Sequence, residues 1–504
     1  MTLATLRLHP DDDVIIALQD LAAGTACNEP EIVTLGAIQA GHKIASRALA
    51  AGETVRKYGQ VIGIALHPIA PGEQVHSHNL GMTDPGHNMP ERVELKPLPS
   101  YTQQTGFEGF LRPSGQFGTR NYLGIVTTVN CAGSVARFIA ENFLRDGGLN
   151  RYPNIDGVVP LVHGTGCGMA NQGESHDLLL RTLSGYAQHP NFAGVLVLSL
   201  GCEVMQASKL LELPELHAAS HVRHLDIQQT GGTRPSVAEG LRLLHELAES
   251  AQACSRSTAP ISALRLGMQC GGSDGYSGIT ANPALGVASD LLVQHGGTSI
   301  LSETPEIYGA EHLLLQRCSN KQVRQTLLER LDWWQDYAKR NGAELDNNPS
   351  PGNKRGGLTT ILEKSLGAVA KGGSAPLNGF YQYAEPIVEP GFVFMDSPGY
   401  DPCSVTGQIA SGANLIAFTT GRGSVSGYMP VPGIKLATTQ SLFERMGDDM
   451  DINCGDVLEG VPLADKGTEI FDYLLEVASG RKTKSETLGF GSVEFVPWQI
   501  GAVM

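Results

Sequence analysis

Residues 122–129 read YLGIVTTV, and two similar apolar runs follow, GVVPLV at 157–162 and GVLVLSLG at 194–201. None of them alternates between apolar and polar positions, which is typical of strands buried on both faces of a parallel sheet. Residues 134–146 and 236–250 have the periodicity of amphipathic helices. Residues 106–260 are therefore predicted to form a first α/β catalytic domain.

A second α/β domain is predicted for residues 261–504. Apolar runs recur at 263–270 (ALRLGMQC) and 391–397 (GFVFMDS), and 320–342 has the periodicity of a long helix. The expected fold class is an α/β catalytic body with parallel-strand segments in two parts.

The first 82 residues differ from this body. Short β-like runs such as DVIIAL at 13–18 and QVIGIAL at 60–66 are separated by glycine-containing turns, which predicts a small all-β domain. Residues 83–105 are rich in proline and polar side chains and are predicted to be a linker.

Composition excludes several classes of protein. The 504 residues are 41% apolar and 17% charged, with no apolar run near the ~20 residues of a membrane span. The N-terminus lacks the pattern of a signal peptide, so a cytoplasmic protein is expected. A net charge of −15 argues against nucleic acid or an anionic membrane as partner. Nine cysteines spread over the chain argue against a disulfide framework and leave thiols free for a metal.

Several strands end in loops with reactive side chains, and ligands bind at the carboxyl ends of strands in open α/β sheets. These loops supply His163, Cys167, Cys202, Glu203, Cys270, Ser273 and Asp274. Thiolate, imidazole and carboxylate ligands together suit Fe²⁺, Zn²⁺ or Mn²⁺, although no pair has CxxC spacing. A buried packing role is the alternative for any single cysteine.

Basic and amide side chains occur in glycine-bordered or strand-edge loops, where an anionic substrate would need them. They are His42, Lys43, Arg120, Asn121, Asn353, Lys354 and Arg422. Arginine can clamp a carboxylate with two hydrogen bonds, and lysine can neutralise one or act as a base. Solvated surface positions are the alternative.

The segment PGEQVHSHNLG at 71–81 places His76 and His78 two residues apart. On a strand, this spacing would point both imidazoles to one face, where they could bind a metal or carry protons. The alternative is two surface histidines on a loop.

Eight motifs occur in one order: AGHK (40–43), HSHN (76–79), FGTRN (117–121), HGTGCG (163–168), LGCE (200–203), QCGGSDGYSGITANP (269–283), NPSPGNKRGG (348–357) and TTGRG (419–423). In these motifs the chain resembles the altronate and galactarate dehydratase family over nearly its whole length. Stretches such as GEQVHSHN and SGITANP favour the altronate branch, whereas RYPNIDGVVPLV at 151–162 favours the galactarate branch.

The resemblance implies an N-terminal β-clip (SAF) domain over residues 1–82 and a divalent metal, with Fe²⁺ expected before Mn²⁺. Family members convert small anionic sugar acids to 2-keto-3-deoxy acids. A base removes the proton beside the carboxylate, and an acid protonates the leaving 3-hydroxyl. On this basis the predicted catalytic residues are His42, Lys43, His76, His78 and Lys354. The predicted substrate-binding residues are Arg120, Asn121, Ser273, Asp274, Asn353 and Arg422. The predicted metal ligands are His76, His78, Cys167, Cys202, Glu203 and Cys270.

D-Altronate is the first expected substrate, and D-galactarate or another aldarate or aldonate is the second. A sulfolactate-type sulfo-lyase and a non-catalytic sugar-acid-binding protein are the alternatives outside this reaction. Assembly into a homo-oligomer is left open.

Overall fold

The computed structural model describes residues 4–29, 32–83, 106–217 and 219–503. The strands are β1 (Thr5–Leu6), β2 (Val14–Ala17), β3 (Lys43–Ala45), β4 (Thr54–Lys57), β5 (Gln60–Ala65), β6 (Gln74–Val75), β7 (Leu80–Gly81), β8 (Gly106–Leu111), β9 (Phe117–Gly118), β10 (Tyr122–Thr127), β11 (Gly157–Leu161), β12 (Phe192–Ser199), β13 (Val222–Asp226), β14 (Arg256–Pro260), β15 (Arg265–Cys270), β16 (Thr298–Leu301), β17 (Leu377–Tyr381), β18 (Gly391–Met395), β19 (Leu415–Thr420), β20 (Gly433–Ala437) and β21 (Ile452–Asn453).

The α-helices are α1 (Gly133–Arg145), α2 (Gly148–Arg151), α3 (Glu174–Ala187), α4 (Ala207–Leu211), α5 (Ile227–Thr230), α6 (Thr233–Gln252), α7 (Ala281–Gln294), α8 (Glu311–Leu315), α9 (Lys321–Arg340), α10 (Pro351–Arg355), α11 (Ile361–Val369), α12 (Asp401–Ala410), α13 (Gln440–Arg445), α14 (Leu463–Ala478) and α15 (Lys484–Leu488).

The N-terminal region forms two small antiparallel sheets, ordered β1-β2-β3-β6 and β4-β5-β7. Every residue of β2 and β3 is buried. Buried side chains of this region, such as Val14 and Val55, share a hydrophobic cluster with Ala284 and Leu285 of α7. The small domain is therefore packed against the C-terminal part of the chain.

The three apolar runs at 122–129, 157–162 and 194–201 contain β10, β11 and β12 of a parallel sheet ordered β11-β10-β12-β13. All six residues of β10 are buried. Leu123 and Ile125 pack with α1 and α6, while Tyr122 and Val126 pack with α3. Helices on both faces explain why the run does not alternate between apolar and polar positions.

The C-terminal region contains a seven-stranded parallel sheet in the order β17-β18-β16-β15-β19-β20-β21. Its strands β15 and β18 coincide with the predicted apolar runs at 263–270 and 391–397, and the predicted long helix is α9. The expected fold class is confirmed: small antiparallel sheets precede an α/β body with parallel strands in two parts.

A third antiparallel sheet, ordered β14-β8-β9, joins the start of the α/β body to the segment after α6. Residues 84–105 of the predicted linker lie outside the described residues. In the described ranges, none of the helices combines the length and the apolar composition that crossing a bilayer requires.

Candidate active site

The candidate active site lies at the carboxyl edge of the seven-stranded sheet. Cys270 is the last residue of β15, and Glu303 follows β16, the neighbouring strand. Glu306 lies in the short 3-10 helix Thr304–Ile307. A sulfur of Cys270 and one oxygen of each carboxylate lie within 4.8 Å of one another. We call Cys270, Glu303 and Glu306 the acidic trio.

The acidic trio fits a divalent metal. Both carboxylate oxygens of Glu303 and Oε2 of Glu306 are buried, and no described residue gives them a hydrogen bond. Buried carboxylates of this kind are costly unless a proton or a cation compensates their charge. A thiolate with two carboxylates is a donor set for a transition metal such as Fe²⁺, Mn²⁺ or Zn²⁺.

Two buried lysines contact the acidic trio. Lys371 Nζ lies 2.9 Å from Cys270 Sγ, and Lys364 Nζ donates to Oε1 of Glu306 at 2.7 Å. Burial opposes the charged form, but Cys270 and Glu303 raise the pKa of Lys371 overall. Glu306 and Cys270 likewise outweigh burial and raise the pKa of Lys364. Both lysines are therefore cationic at neutral pH and can offset the charge of an anionic ligand.

Asp401 is a carboxyl group of this site that titrates near neutrality. Burial, and then the negative charge of Glu306, raise its pKa to about 7. A Cβ at Gly271 would lie 2.3 Å from Oδ2 of Asp401, so only glycine leaves room for this carboxyl group beside β15. A group whose pKa is near the working pH can both donate and accept protons.

The backbone of Glu303 is left-handed, with φ of 72°, which is uncommon for a residue with a side chain. Its N–H donates to Oγ of Ser397 at 3.0 Å, and the N–H of Thr304 donates to the carbonyl oxygen of Ser397. Burial, reinforced by the charges of Glu306 and Asp401, raises the pKa of Glu303 well above its usual value. Strained backbone of this kind concentrates at functional sites.

The small β domain reaches the site through Glu363 on α11. Lys43 Nζ donates to both oxygens of Glu363, at 3.0 and 2.8 Å, and Lys57 Nζ donates at 2.9 Å. Although burial alone would raise it, the two lysines hold the pKa of Glu363 well below its usual range. The next residue along α11 is Lys364, so this buried ion-pair network fixes the helix that supplies a site residue. Lys43, predicted to be catalytic, is a member of this network.

The expectation that His76 and His78 share a strand face is wrong. β6 ends at Val75, and His76–Asn79 is a turn in which the N–H groups of Asn79 and Leu80 donate to the carbonyl oxygen of His76. His78 is exposed. Side chains alternate between two faces on a strand but not in a turn. The separation of two residues between His76 and His78 therefore does not place their imidazoles on one face.

His76 pairs with His42 instead. The rings are stacked with centroids 5.2 Å apart. Nε2 of His76 lies 2.8 Å from the carbonyl oxygen of Lys354, and Nε2 of His42 lies 3.3 Å from that of Arg355. Burial lowers the pKa of both imidazoles, so they are neutral and donate to these carbonyls. The pair attaches the small domain to α10, while the side chain of Lys354 is partly exposed.

Of the predicted substrate-binding residues, Asn353 lies in α10, Ser273 and Asp274 lie in the loop after β15, and Arg422 lies in the loop after β19. Asn353 Nδ2 donates to the carbonyl oxygen of Ser273 at 2.9 Å. Asp274, whose pKa burial raises, accepts from Oγ1 of Thr438 at 3.1 Å. The N–H of Arg422 donates to the backbone at 272, and its side chain is exposed. The first three residues shape the loop, and Arg422 faces solvent.

The predicted substrate clamp at Arg120 is corrected. Its guanidinium binds both oxygens of Glu486, at 2.6 and 2.8 Å. The remaining donors reach the carbonyl oxygens of Thr119, Val477 and Arg481. All five N–H donors of the arginine are thus used within the protein.

Asn121 is similarly structural. Its side-chain nitrogen Nδ2 donates to the carbonyl oxygens of Asn154 and Ala251, and its backbone N–H donates to Oδ2 of Asp156. It joins the start of β10 to the segment before β11 rather than offering an amide to a ligand.

The predicted single donor set of Cys167, Cys202, Glu203 and Cys270 is also corrected. Cys270 belongs to the acidic trio, whereas the other three follow strands of the four-stranded sheet. The carboxylate of Glu203 accepts from the N–H of Gly201 at 2.7 Å and from Oγ1 of Thr128 at 2.6 Å.

His163 is held in the same region. Its Nε2 lies 3.0 Å from the carbonyl oxygen of Thr127, and the N–H of Thr165 donates to its Nδ1 at 3.3 Å. Burial lowers the pKa of His163 to about 4. The ring is therefore neutral, and both of its nitrogens are engaged by the protein.

Two cavities that share His189 lie away from the acidic trio. One of 320 Å³ is lined by residues including Arg181 and Arg265, and one of 640 Å³ by residues including Arg112 and Cys254. His189 lines both and precedes β12, and Arg265 begins β15, so these cavities adjoin the amino ends of the strands. Ligand chemistry in parallel sheets belongs to the opposite edge.

Sequence reasoning missed most of the site: Glu303, Glu306, Lys364, Lys371 and Asp401. Glu303 carried a usable signal, because it follows an apolar strand as Cys270 does. Lys364 lies in α11, whereas Lys371 lies in the 3-10 helix Ala370–Gly372 beyond its end, so their spacing does not identify them as a pair. Asp401 has no such pattern around it.

Comparison with known proteins decides the family. Residues 3–83 match the altronate/galactarate dehydratase SAF domain, and residues 109–252 match the second domain of D-galactarate dehydratase/altronate hydrolase. Residues 261–503 match the C-terminal domain of D-galactarate/altronate dehydratase. The chain belongs to the altronate/galactarate dehydratase family. The predicted resemblance and the SAF domain are confirmed.

Named relatives agree with this assignment. The chain is 34% identical to an altronate dehydratase of Bacillus subtilis over 96% of this chain and 97% of the relative. It is 37% identical to a galactarate dehydratase (L-threo-forming) of Escherichia coli over 95% and 93%. A (2R)-sulfolactate sulfo-lyase subunit beta of Chromohalobacter salexigens is 32% identical over 76% of this chain and 95% of its own. The homologues support a sugar-acid dehydratase, which is a hydro-lyase, so the predicted enzyme class is confirmed.

Proposed function

We propose that this dehydratase-family chain removes water from a sugar acid with the help of a divalent metal, with D-altronate as the first candidate substrate. The observation that carries the proposal is the acidic trio, in which both oxygens of buried Glu303 and Oε2 of buried Glu306 accept no hydrogen bond, beside a cysteine and two buried lysines. This is the environment of a cation and an anionic ligand, not of a packed core.

The trio of Cys270, Glu303 and Glu306 would hold the metal, with Fe²⁺ proposed first and Mn²⁺ second. When bound, such an ion supplies a Lewis acid that stabilises the negative charge developing on the substrate carboxylate as its α-proton leaves. Sulfur and oxygen donors in one set favour a borderline transition metal over Mg²⁺ or Ca²⁺.

The buried lysines attract the anion. Lys364 and Lys371 are both charged at neutral pH, and both lie beside the trio. The chain carries a net charge of −15, so an anionic substrate needs this local positive charge. Fixed ammonium groups aimed at a developing enediolate lower the barrier because they need no reorganisation.

Asp401 is the proposed proton carrier. Elimination of water requires one group to take the proton from C2 and one to give a proton to the 3-hydroxyl. Burial and the charge of Glu306 raise the pKa of Asp401 to about 7, so this carboxyl group can hold a proton near neutral pH. We assign it the proton given to the leaving hydroxyl, after which the enol product becomes the 2-keto-3-deoxy acid.

Two further substrates have specific support. The chain is 37% identical to the galactarate dehydratase relative, against 34% for the altronate dehydratase relative, which supports galactarate as a candidate beside altronate. The sulfo-lyase relative supports sulfite elimination from sulfolactate as the third. The acidic trio and the two lysines keep their proposed roles in each case, because every candidate loses a proton next to a carboxylate. Asp401 has its proposed role only where a hydroxyl leaves.

The test is a turnover screen of metal-free and Fe²⁺-loaded enzyme with altronate, galactarate and sulfolactate, measuring 2-keto acid and sulfite. Cys270→Ala and Glu306→Gln should each lower kcat by about 10² or more. Cys454→Ala is the matched control, because it removes another buried thiol that follows β21 of the same sheet. Full turnover in metal-free enzyme, or normal turnover in both variants, would contradict the proposal.

A further inference from the structure

Three exposed cysteines follow three neighbouring strands of the four-stranded parallel sheet. Cys131 comes after β10, Cys167 after β11 and Cys202 after β12. The strand order β11-β10-β12 places β10 between the other two. Because parallel strands share one carboxyl edge, the three thiols are brought to the same end of the sheet.

Hydrogen bonds join the loops of Cys131 and Cys167. The N–H of Asn130, which precedes Cys131, donates to the carbonyl oxygen of Thr165 at 2.9 Å. Gly166, next to Cys167, has φ of 98°, and a Cβ there would lie 2.1 Å from the carbonyl oxygen at 128. Only glycine permits this close approach of the Cys167 loop to the end of β10.

The Cys202 loop is tied to the same place. The carboxylate of Glu203 accepts from Oγ1 of Thr128 at 2.6 Å, and the N–H of Met205 donates to the carbonyl oxygen of Gly166 at 3.0 Å. Glu203 is therefore a positioning residue, although the sequence pattern predicted it as a metal ligand. Each of the three cysteine loops is bonded to at least one of the others.

The spacing of the three thiols argues against one shared metal ion. In the described part of the chain, the acidic trio is the one group of three metal-binding side chains whose ligand atoms lie within 4.8 Å of one another. At least two of the sulfurs of Cys131, Cys167 and Cys202 are therefore more than 4.8 Å apart. Thiolates on one tetrahedral ion at about 2.3 Å would lie only about 4 Å apart. A cluster binds each thiolate at a different iron, which requires wider spacing.

We propose that Cys131, Cys167 and Cys202 bind a [4Fe–4S] cluster at the carboxyl edge of this sheet. The side-chain amide of Gln228 donates to Sγ of Cys202 at 3.3 Å, and hydrogen bonds to ligand sulfurs are a means by which proteins tune such clusters. Three thiolates occupy three of the four irons. His163, which lies near Cys167, does not bind the fourth iron, because both of its ring nitrogens are engaged by the protein. The fourth iron is therefore left for an oxygen ligand such as a carboxylate or hydroxyl.

The experiment is anaerobic reconstitution of the full chain with Fe²⁺, sulfide and a thiol reductant, followed by assay of iron and acid-labile sulfide. We expect about four sulfides per chain, visible charge-transfer absorption and an EPR signal after reduction. Cys131→Ser, Cys167→Ser and Cys202→Ser should each lower bound sulfide more than about 5-fold, with unchanged far-UV circular dichroism. Cys254→Ser, at a half-exposed cysteine elsewhere, should retain the sulfide.

Absence of acid-labile sulfide from reconstituted enzyme, binding of a single Zn²⁺ by the three thiols, or equal sulfide in the three variants and the control would overturn the proposal. Cys270→Ala separates this proposal from the proposed function, because it should remove dehydratase activity and leave the sulfide content unchanged. Sulfide is measured without turnover, so a chain with a cluster but no dehydratase activity would uphold the cluster and contradict only the proposed function.

Discussion

Replacing Glu363 by glutamine should loosen the small β domain from α11. The carboxylate accepts from two buried lysines and also from the N–H and Oγ1 of Thr359, at 3.0 and 2.8 Å. The variant keeps the shape and an oxygen acceptor but leaves Lys43 and Lys57 buried without a counter-charge. Breaking a buried ion pair in this way costs about 3–5 kcal/mol.

Hydrogen exchange measures this cost locally, since a multidomain chain does not unfold in one step. Amides of β3, β4 and α11 should exchange about 10²- to 10⁴-fold faster in Glu363→Gln than in the wild type, as 1.4 kcal/mol is a factor of ten. Amides of α1 and α6, which pack on the other sheet, serve as the internal control.

The matched variant replaces the whole network, with Lys43→Met, Lys57→Met and Glu363→Leu together. Apolar substitution of a complete buried ion-pair network is often neutral or stabilising, so exchange in α11 should return to within about 10-fold of the wild type. The reasoning is refuted if Glu363→Gln exchanges within about 3-fold of the wild type, or if the triple variant exchanges faster than the single one.

Four further outcomes are expected. Arg120→Lys should lower thermal stability and leave KM unchanged, because the guanidinium N–H groups bind Glu486 and backbone carbonyls. A change in KM without a change in stability would instead support binding of the substrate by Arg120. Because the pKa of Asp401, the proposed proton donor, is raised to about 7, kcat should fall as pH rises through about 7, and a flat pH–rate profile from 6 to 8 would contradict this role. His76→Phe should keep the bound-metal content measured by elemental analysis, since the ring contacts a carbonyl; loss of metal would reinstate it as a ligand. Acid should weaken the Glu363 network, because the pKa of Glu363 is lower in the folded protein than in the unfolded chain. The stabilisation by the network is complete above the unfolded pKa of about 4.3 and is lost as pH falls towards the folded pKa. Melting curves at pH 3–7 would show this loss.

The acidic trio was only partly predictable. Cys270 follows a strong apolar strand, and its position at a carboxyl edge is a consequence of strand type alone. Glu306 lies in a 3-10 helix and Lys371 in a segment far along the chain, and neither has a local pattern that identifies it. Their proximity depends on the order of strands and on where α11 crosses the sheet, which are non-local contacts.

Two predictions made from local sequence patterns, for the histidine pair and for Arg120, were wrong. The spacing of His76 and His78 has meaning on a strand, but a turn begins at His76 and removes the alternation. Arg120 has glycine and strand-edge neighbours like a ligand-binding arginine, yet Glu486, distant in sequence, takes its guanidinium. In both cases a hydrogen-bond partner that the local sequence does not contain decides the role.

The sequence by itself determined the α/β class, the small β domain and the family, because burial on both faces of a strand and ordered motifs are written in consecutive residues. Only the tertiary structure decided which strand ends meet, which lysines are buried against acids and which cysteines lie together. Strand order and side-chain desolvation are set by contacts between distant segments, and a metal or anion site exists only where such segments converge.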